Sequence, residues 1–212
     1  MNNDDGVGAS KRTDEKHQGS ESEEVLRARF YALLNQLLAA PLSPDWLQAF
    51  STLEGDETDL GHALAALGER ARAFTHEEVA DEYTRLFYGF GAGGELTPYA
   101  SFYLTGFVYE KPLADLRSDL GALGIAKSEE SSEPEDHIAF LLEVMHGLIL
   151  GELGGDADIA AQRRFFERHV APWASRFFED MENADNADFY RPVGTIGRLL
   201  MEIEAQAFDM AA

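Results

Sequence analysis

Ser131-Ser132-Glu133-Pro134-Glu135-Asp136-His137, running into Ile138-Ala139-Phe140-Leu141-Leu142, is the stretch whose reading decides the fold. Ser132 with Glu135 three positions on fits a capping box, and Pro134 stands where a first helical turn tolerates a missing N–H. The pattern predicts a helix over 133–150, the most apolar in the chain. Its polar start sets Glu133, Asp136 and His137 side by side at a helix end. The helix dipole alone favours acidic groups there, and binding or catalysis can also use them. His137 shares a helical face with Leu141, Val144 and Leu148, which is also where a satisfied histidine at the edge of a core would sit.

Helical patterning continues on both sides of this stretch. Leu26, Phe30, Leu33, Leu34, Leu37 and Leu38 recur at helical spacing until Pro41. Ser43-Pro44-Asp45 opens a short helix with Trp46, Leu47 and Phe50. A third helix carries Leu60, Leu64 and Leu67, and Thr75-His76-Glu77-Glu78 caps a fourth. Lys111 to Leu123 forms another helix, stopped by Gly124. Ile159 to Met181 and Asp188 to Phe208 complete the series, while the aromatic-rich 96–109 fits a strand or a broken helix. No alternation of period two and no βαβ rhythm occurs. The expected fold is therefore all-α, a single globular bundle of irregular helices over 23–212. Residues 1–22 read as a disordered acidic tail, and 125–133 as a hinge.

Composition excludes several function classes. A formal charge of −22 on 212 residues would repel nucleic acid and an anionic membrane, and favours a basic partner. With no cysteine there is no thiolate metal site and no cysteine nucleophile. The polar N-terminus lacks the apolar core of a signal peptide, and no apolar run is long enough to insert in a membrane. Arg163-Arg164 is a twin arginine, but it lies mid-chain in a helical pattern.

Three motifs invite chemistry. Gly89-Phe90-Gly91-Ala92-Gly93-Gly94 matches G-x-G-x-x-G, with Asp115 downstream. That fingerprint needs a strand before it, whereas the preceding residues read as helix, so a connection between helices is expected. Glu143-Val144-Met145-His146 is a single Glu-x-x-His without the second copy of a di-iron bundle. A mononuclear metal site on Glu133, His137, Glu143 and His146 remains the alternative. No G-x-S-x-G elbow is present to pose a serine nucleophile. Tyr99, Phe102, Tyr103, Phe107 and Tyr109 form an aromatic cluster suited either to core packing or to an apolar peptide, and the cluster from Phe165 to Phe178 reads as core.

Glu133-Pro134-Glu135-Asp136-His137 resembles the E-P-x-D-H signature of the TorD/DmsD/NarJ-type redox-enzyme maturation chaperones. Tyr83-Thr84-Arg85-Leu86-Phe87 resembles the family's Y-x-x-L-F helix. Pro98 to Tyr103 resembles its P-x-x-S-x-Y segment, and His169 to Trp173 its H-x-x-P-W. These pieces occur in order and span about 24–208. The resemblance implies a TorD-like all-helical fold, a cytoplasmic chaperone without catalytic residues, cofactor or metal, and a monomer or domain-swapped dimer. It implies binding of the twin-arginine signal peptide and catalytic subunit of a molybdoenzyme, held until cofactor insertion is complete.

Paired guanidiniums followed by an apolar stretch need carboxylates beside an apolar surface. The expected client-binding residues are accordingly Glu133 and Asp136 for the charge, with Tyr99, Ser101, Phe102 and Tyr103 as walls and anchors. Pro134 shapes the turn, and His137 orients Asp136 or the signature turn.

Overall fold

The computed structural model describes residues 7–89, 93–126, 133–153 and 159–210, with side chains from residue 23. Local sequence signals account for most helix starts. The Ser43 side chain accepts from Trp46 N–H at the start of α2 (Pro44–Phe50), and Thr58 accepts from Gly61 N–H at α3 (Asp59–Ala73). At α4 (His76–Tyr83), Thr75 and Glu78 close a full capping box. α6 (Lys111–Ala122) ends at Gly124, whose φ of 70° suits a residue without Cβ.

Two long helices frame the bundle. α1 (Val7–Leu38) lies mainly against α7 (Ile138–Ile149), and α10 (Arg191–Met210) lies against α9 (Ala174–Asn183) and α3. α7 is the central element, with Ile138, Leu141, Leu142, Val144, Met145 and Leu148 all buried, as its continuous apolar sequence requires. The α9–α10 approach is close enough to need glycine. A Cβ on Gly197 would lie 2.1 Å from the Phe178 ring, and one on Gly194 would lie 2.7 Å from Glu182 N.

Buried polar groups tie distant elements together. Arg27 on α1 makes a bidentate pair with Glu204 on α10 at 2.7 Å, and the Tyr31 hydroxyl donates to the same carboxylate at 3.1 Å. Glu82 on α4 accepts from the backbone N–H groups of Asp188, Phe189 and Tyr190 at 2.8–3.0 Å, fixing the chain that leads into α10.

α1 spans Val7–Leu38. The structure departs from the sequence expectations at two helices. The helix expected over 133–150 starts at Ile138, with His137 as its N-cap. Ser132 lies outside the described residues, as do 127–132 of the expected hinge. The helix expected over 159–181 divides into α8 (Ile159–Phe165), a π-helical turn Phe166–Val170, and α9. Pro172 has no N–H to continue the ladder, which accounts for the break. The ambiguous 96–109 segment contains one short helix, α5 (Ala100–Thr105). Among the described residues no helix is long and apolar enough to cross a membrane.

Candidate functional site

The two segments Pro98–Tyr103 and Glu133–His137, far apart in sequence, form one clip. Ala100 N–H donates to Asp136 O at 3.0 Å, and Ile138 N–H to Pro98 O at 2.9 Å, giving an isolated antiparallel bridge between Tyr99 and His137. Asp136 is fully buried. Its Oδ2 accepts from Ser101 N–H at 2.9 Å and from the Ser101 hydroxyl at 2.5 Å. Its Oδ1 is buried with no hydrogen-bond partner among the described residues. The Tyr99 hydroxyl donates to Glu133, and the Tyr99 ring meets His137 edge-on at 5.2 Å. Arg117 on α6 pairs with Glu135 at 2.7 Å and braces the turn from outside.

This arrangement explains why α7 starts late. Glu133 precedes a proline, which steers it away from helical backbone. His137 N–H donates to Pro134 O at 3.1 Å, closing a turn. The carbonyl of Asp136 is committed to Ala100. His137 Nδ1 then accepts from Ala139 N–H at 3.2 Å and caps α7. Burial lowers the His137 pKa to about 4, against the opposing pull of Glu133 and Asp136. The ring is therefore neutral at pH 7, with Nδ1 free to accept. Burial and the bond to Glu133 raise the Tyr99 pKa, so Tyr99 stays a donor.

The expected client-binding residues fall into two layers. Asp136, Ser101, Pro134 and His137 are buried and hold the clip. Glu133, Tyr99 and Tyr103 are half-buried, and Phe102 is exposed. Asp136 therefore cannot meet a ligand guanidinium without opening the clip, and its geometry is that of a positioning residue. Outward of the clip, Phe102, Leu104, Phe107, Val108 and Tyr109 form an exposed apolar run, with Phe107 and Tyr109 about 70% accessible. Tyr88 is also exposed and acts electrostatically on Tyr99. Between α5 and α9, Phe102 and Tyr103 line a groove of about 640 Å³ together with Arg176 and Asp180. The Tyr103 hydroxyl donates to Asp180 at 2.9 Å.

Of the other quoted segments, His169–Trp173 packs on the clip and Tyr83–Phe87 ties to the end of α1. Tyr83 donates to Leu38 O at 3.1 Å and packs on Phe87. Trp173 donates to His169 O at 2.9 Å, and its ring packs on Tyr103 at 5.4 Å. His169 lies 2.6 Å from Asp119. The cluster expected as core is core: Phe165, Phe166, Trp173, Phe177 and Phe178 are buried.

The metal alternative does not assemble. Glu143 and His146 line a groove against α1 and α2, where His146 Nδ1 lies 2.9 Å from Ala28 O. His137 caps the opposite end of α7 and spends Nδ1 on Ala139. No metal-binding group of His, Cys, Asp and Glu occurs among the described residues. The glycine stretch also fails as a phosphate loop. Residues 90–92 lie outside the described residues, but Thr84–Tyr88 before it is π-helical and not a strand. Gly89 has φ 66°, and a Cβ there would lie 1.8 Å from Gly93 O, so the glycines serve a tight helix exit.

A family model described as the nitrate reductase delta subunit matches residues 53–179, more than half of the chain. The chain belongs to this family. It is 30% identical over 188 residues to the chaperone protein TorD of Aliivibrio fischeri, covering 79% of this chain and 87% of that one. It is 27% identical over 186 residues to the "probable Tat proofreading chaperone DmsD" of Haemophilus influenzae, covering 81% and 82%. A solved structure from Archaeoglobus fulgidus, assigned as a redox enzyme maturation protein, superposes with a TM-score of 0.54 at 21% identity. It covers 84% of this chain and 94% of that one, and shows the shared fold.

The protein is thus a chaperone of the TorD type. Two of the quoted segments, Pro98–Tyr103 and Glu133–His137, form the clip, and Trp173 of a third packs on it. Sequence reasoning did not single out Arg117, Tyr88 or Asp180 beside it. None carries a local signal, because their positions depend on how α6, the π-helical turn Thr84–Tyr88 and α9 pack.

Proposed function

We propose that this TorD-type chaperone binds the twin-arginine leader of a molybdopterin oxidoreductase precursor in the cytoplasm and holds it during cofactor insertion, with no chemical turnover of its own. The observation that carries this reading is the exposed apolar run Phe102–Tyr109, which follows directly on Tyr99, whose hydroxyl donates to the half-buried Glu133 carboxylate. An apolar patch this dense on a soluble domain marks an interaction surface. Glu133 offers one arginine of the leader a carboxylate, and the run offers its apolar stretch a wall. The charge of −22 speeds encounter with a basic peptide.

The test is binding of a fluorescent leader peptide from the precursor that co-purifies in the native host, followed by anisotropy across a salt series. Affinity should fall with salt, and Glu133→Gln should weaken it about tenfold and flatten the salt dependence. A folded Asp136→Ala/His137→Ala variant should also bind more weakly, because the clip no longer positions Glu133 and Tyr99. Equal affinity and equal salt dependence in all three proteins would refute the reading.

A further inference from the structure

Two tyrosines at the start of α5 each donate to a carboxylate on another element. Tyr99 donates to Glu133 in the clip, and Tyr103 donates to Asp180 on α9 at 2.9 Å. They stand one helical turn apart, with Tyr103 N–H donating to Tyr99 O at 3.2 Å. Both carboxylates are half-buried, and neither has an ion pair among the described residues. By contrast, Asp119, Glu135, Glu182 and Glu204 each hold an arginine of the chain.

Glu204 shows what a tyrosine-held carboxylate can take. Tyr31 donates to its Oε2 at 3.1 Å, and Arg27 closes on both oxygens at 2.7 Å. The neutral hydroxyl fixes the carboxylate and leaves its charge for the guanidinium. Glu133 and Asp180 repeat the tyrosine half of that arrangement without an arginine from the chain. There is room for one at Asp180, which lines the groove of about 640 Å³ between α5 and α9 with Tyr103 and the exposed Phe102. Glu95 in the same groove is spent on the backbone N–H groups of Asp185 and Asn186. Arg176 also lines the groove, exposed and without an ion pair to Asp180 among the described residues.

We propose that Asp180, held by Tyr103, accepts one of the leader's paired arginines while Glu133, held by Tyr99, accepts its neighbour. This rests on the leader-binding reading. Neighbouring side chains of an extended peptide point to opposite sides, so paired arginines need acceptors on two elements. α5 meets that need by holding one carboxylate from the clip and one from α9. A single arginine fills one tyrosine–carboxylate dyad and leaves the other charge unpaired, so the site selects for the pair. The occupant is a basic peptide and not a second copy of the chain, since two copies at −22 repel each other.

The test uses the full chain, with wild-type, Asp180→Asn and Glu133→Gln proteins. Glu179→Gln is the control, removing the same charge from an exposed neighbour on α9. Three synthetic peptides carry the same Leu/Ala run after Arg-Arg, Arg-Gln or Gln-Arg. Melting temperature and sedimentation are measured alongside anisotropy. Wild type should bind the Arg-Arg peptide about tenfold more tightly than either single-arginine peptide. Asp180→Asn keeps an acceptor for Tyr103 and should hold its melting temperature. It should lose about tenfold on the Arg-Arg peptide and become indifferent to replacement of one arginine, and Glu133→Gln to replacement of the other. Glu179→Gln should bind all three peptides as wild type does. Wild-type affinity retained in Asp180→Asn, or a loss matched by Glu179→Gln, overturns this proposal. Indifference of both variants to the same arginine overturns it too. In each case, weaker binding by Glu133→Gln leaves the leader reading standing. A drop in the melting temperature of Asp180→Asn with equal losses on all three peptides assigns Asp180 to packing and overturns the proposal. Self-association that is lost in Asp180→Asn without a change in peptide binding assigns the groove to a second copy and likewise overturns it. Absence of wild-type binding to all three peptides overturns both readings.

Discussion

Asp136 and Ser101, 35 positions apart, are joined by two hydrogen bonds to a single carboxylate oxygen, one from the serine N–H at 2.9 Å and one from its hydroxyl at 2.5 Å. Both residues are fully buried. Asp136→Ala strands both donors and should cost about 3 kcal/mol, and Ser101→Ala about 1 kcal/mol. Urea unfolding of the two single variants and the double variant tests the pair. A coupling energy of about 1 kcal/mol or more is expected, and strict additivity would contradict the bond.

His137 makes stability depend on pH. Its folded pKa of about 4 lies below the unfolded value of about 6.5. Above pH 6.5 both states are neutral, and the contribution is fully present. As pH falls from 6.5 toward 4 the unfolded chain takes up a proton that the native ring refuses, and up to about 3 kcal/mol is lost. His169 is also shifted down by burial, despite Asp119, and adds a slope of the same sign. Unfolding of His137→Asn between pH 4 and 7 should therefore show a shallower loss than wild type. An identical slope would contradict the buried neutral imidazole.

Gly197 lets α10 touch α9. Its substitution by alanine would drive a Cβ to 2.1 Å from the Phe178 ring, itself fully buried. The expected cost is about 2–3 kcal/mol from overpacking, against a small gain in helix propensity. Thermal unfolding of Gly197→Ala should show a lowered midpoint, and a raised one would mean that the helices are not in this contact.

Glu82 is 1% exposed and accepts three consecutive backbone N–H groups ahead of α10. Glu82→Gln keeps the shape but weakens charge-assisted bonds and aims an amide donor at donors. A loss of about 2 kcal/mol is expected in chemical denaturation. Amide exchange at Asp188, Phe189 and Tyr190 should accelerate together.

The helical class was legible because its signals are local. Ser43 and Thr75 cap helices where their spacing says they should, and Gly124 ends one. The start of α7 was misread for a physical reason. Ser132, Pro134 and Glu135 compose a plausible cap, but the backbone of 136–138 gains more by bonding to 98–100, and that partner is invisible in a local window. Pro172 was visible in the chain, yet the length of the aromatic pattern around it favoured one helix where the structure has two.

Within the candidate site, the residue types were legible and their roles were not. Glu133, Asp136, Ser101, Tyr99 and His137 do come together, but only Glu133 and Tyr99 among them are half-buried, while Asp136, Ser101 and His137 face inward. By itself the sequence determined an all-helical chain, its strong negative charge and the ordered segments of its family, since capping, periodicity and charge are properties of neighbouring residues. Only the tertiary structure decided which acid is available to a ligand and which one holds the scaffold. Burial is set by segments that meet across 35 residues of chain, and two carboxylates three positions apart look alike until one of them is enclosed.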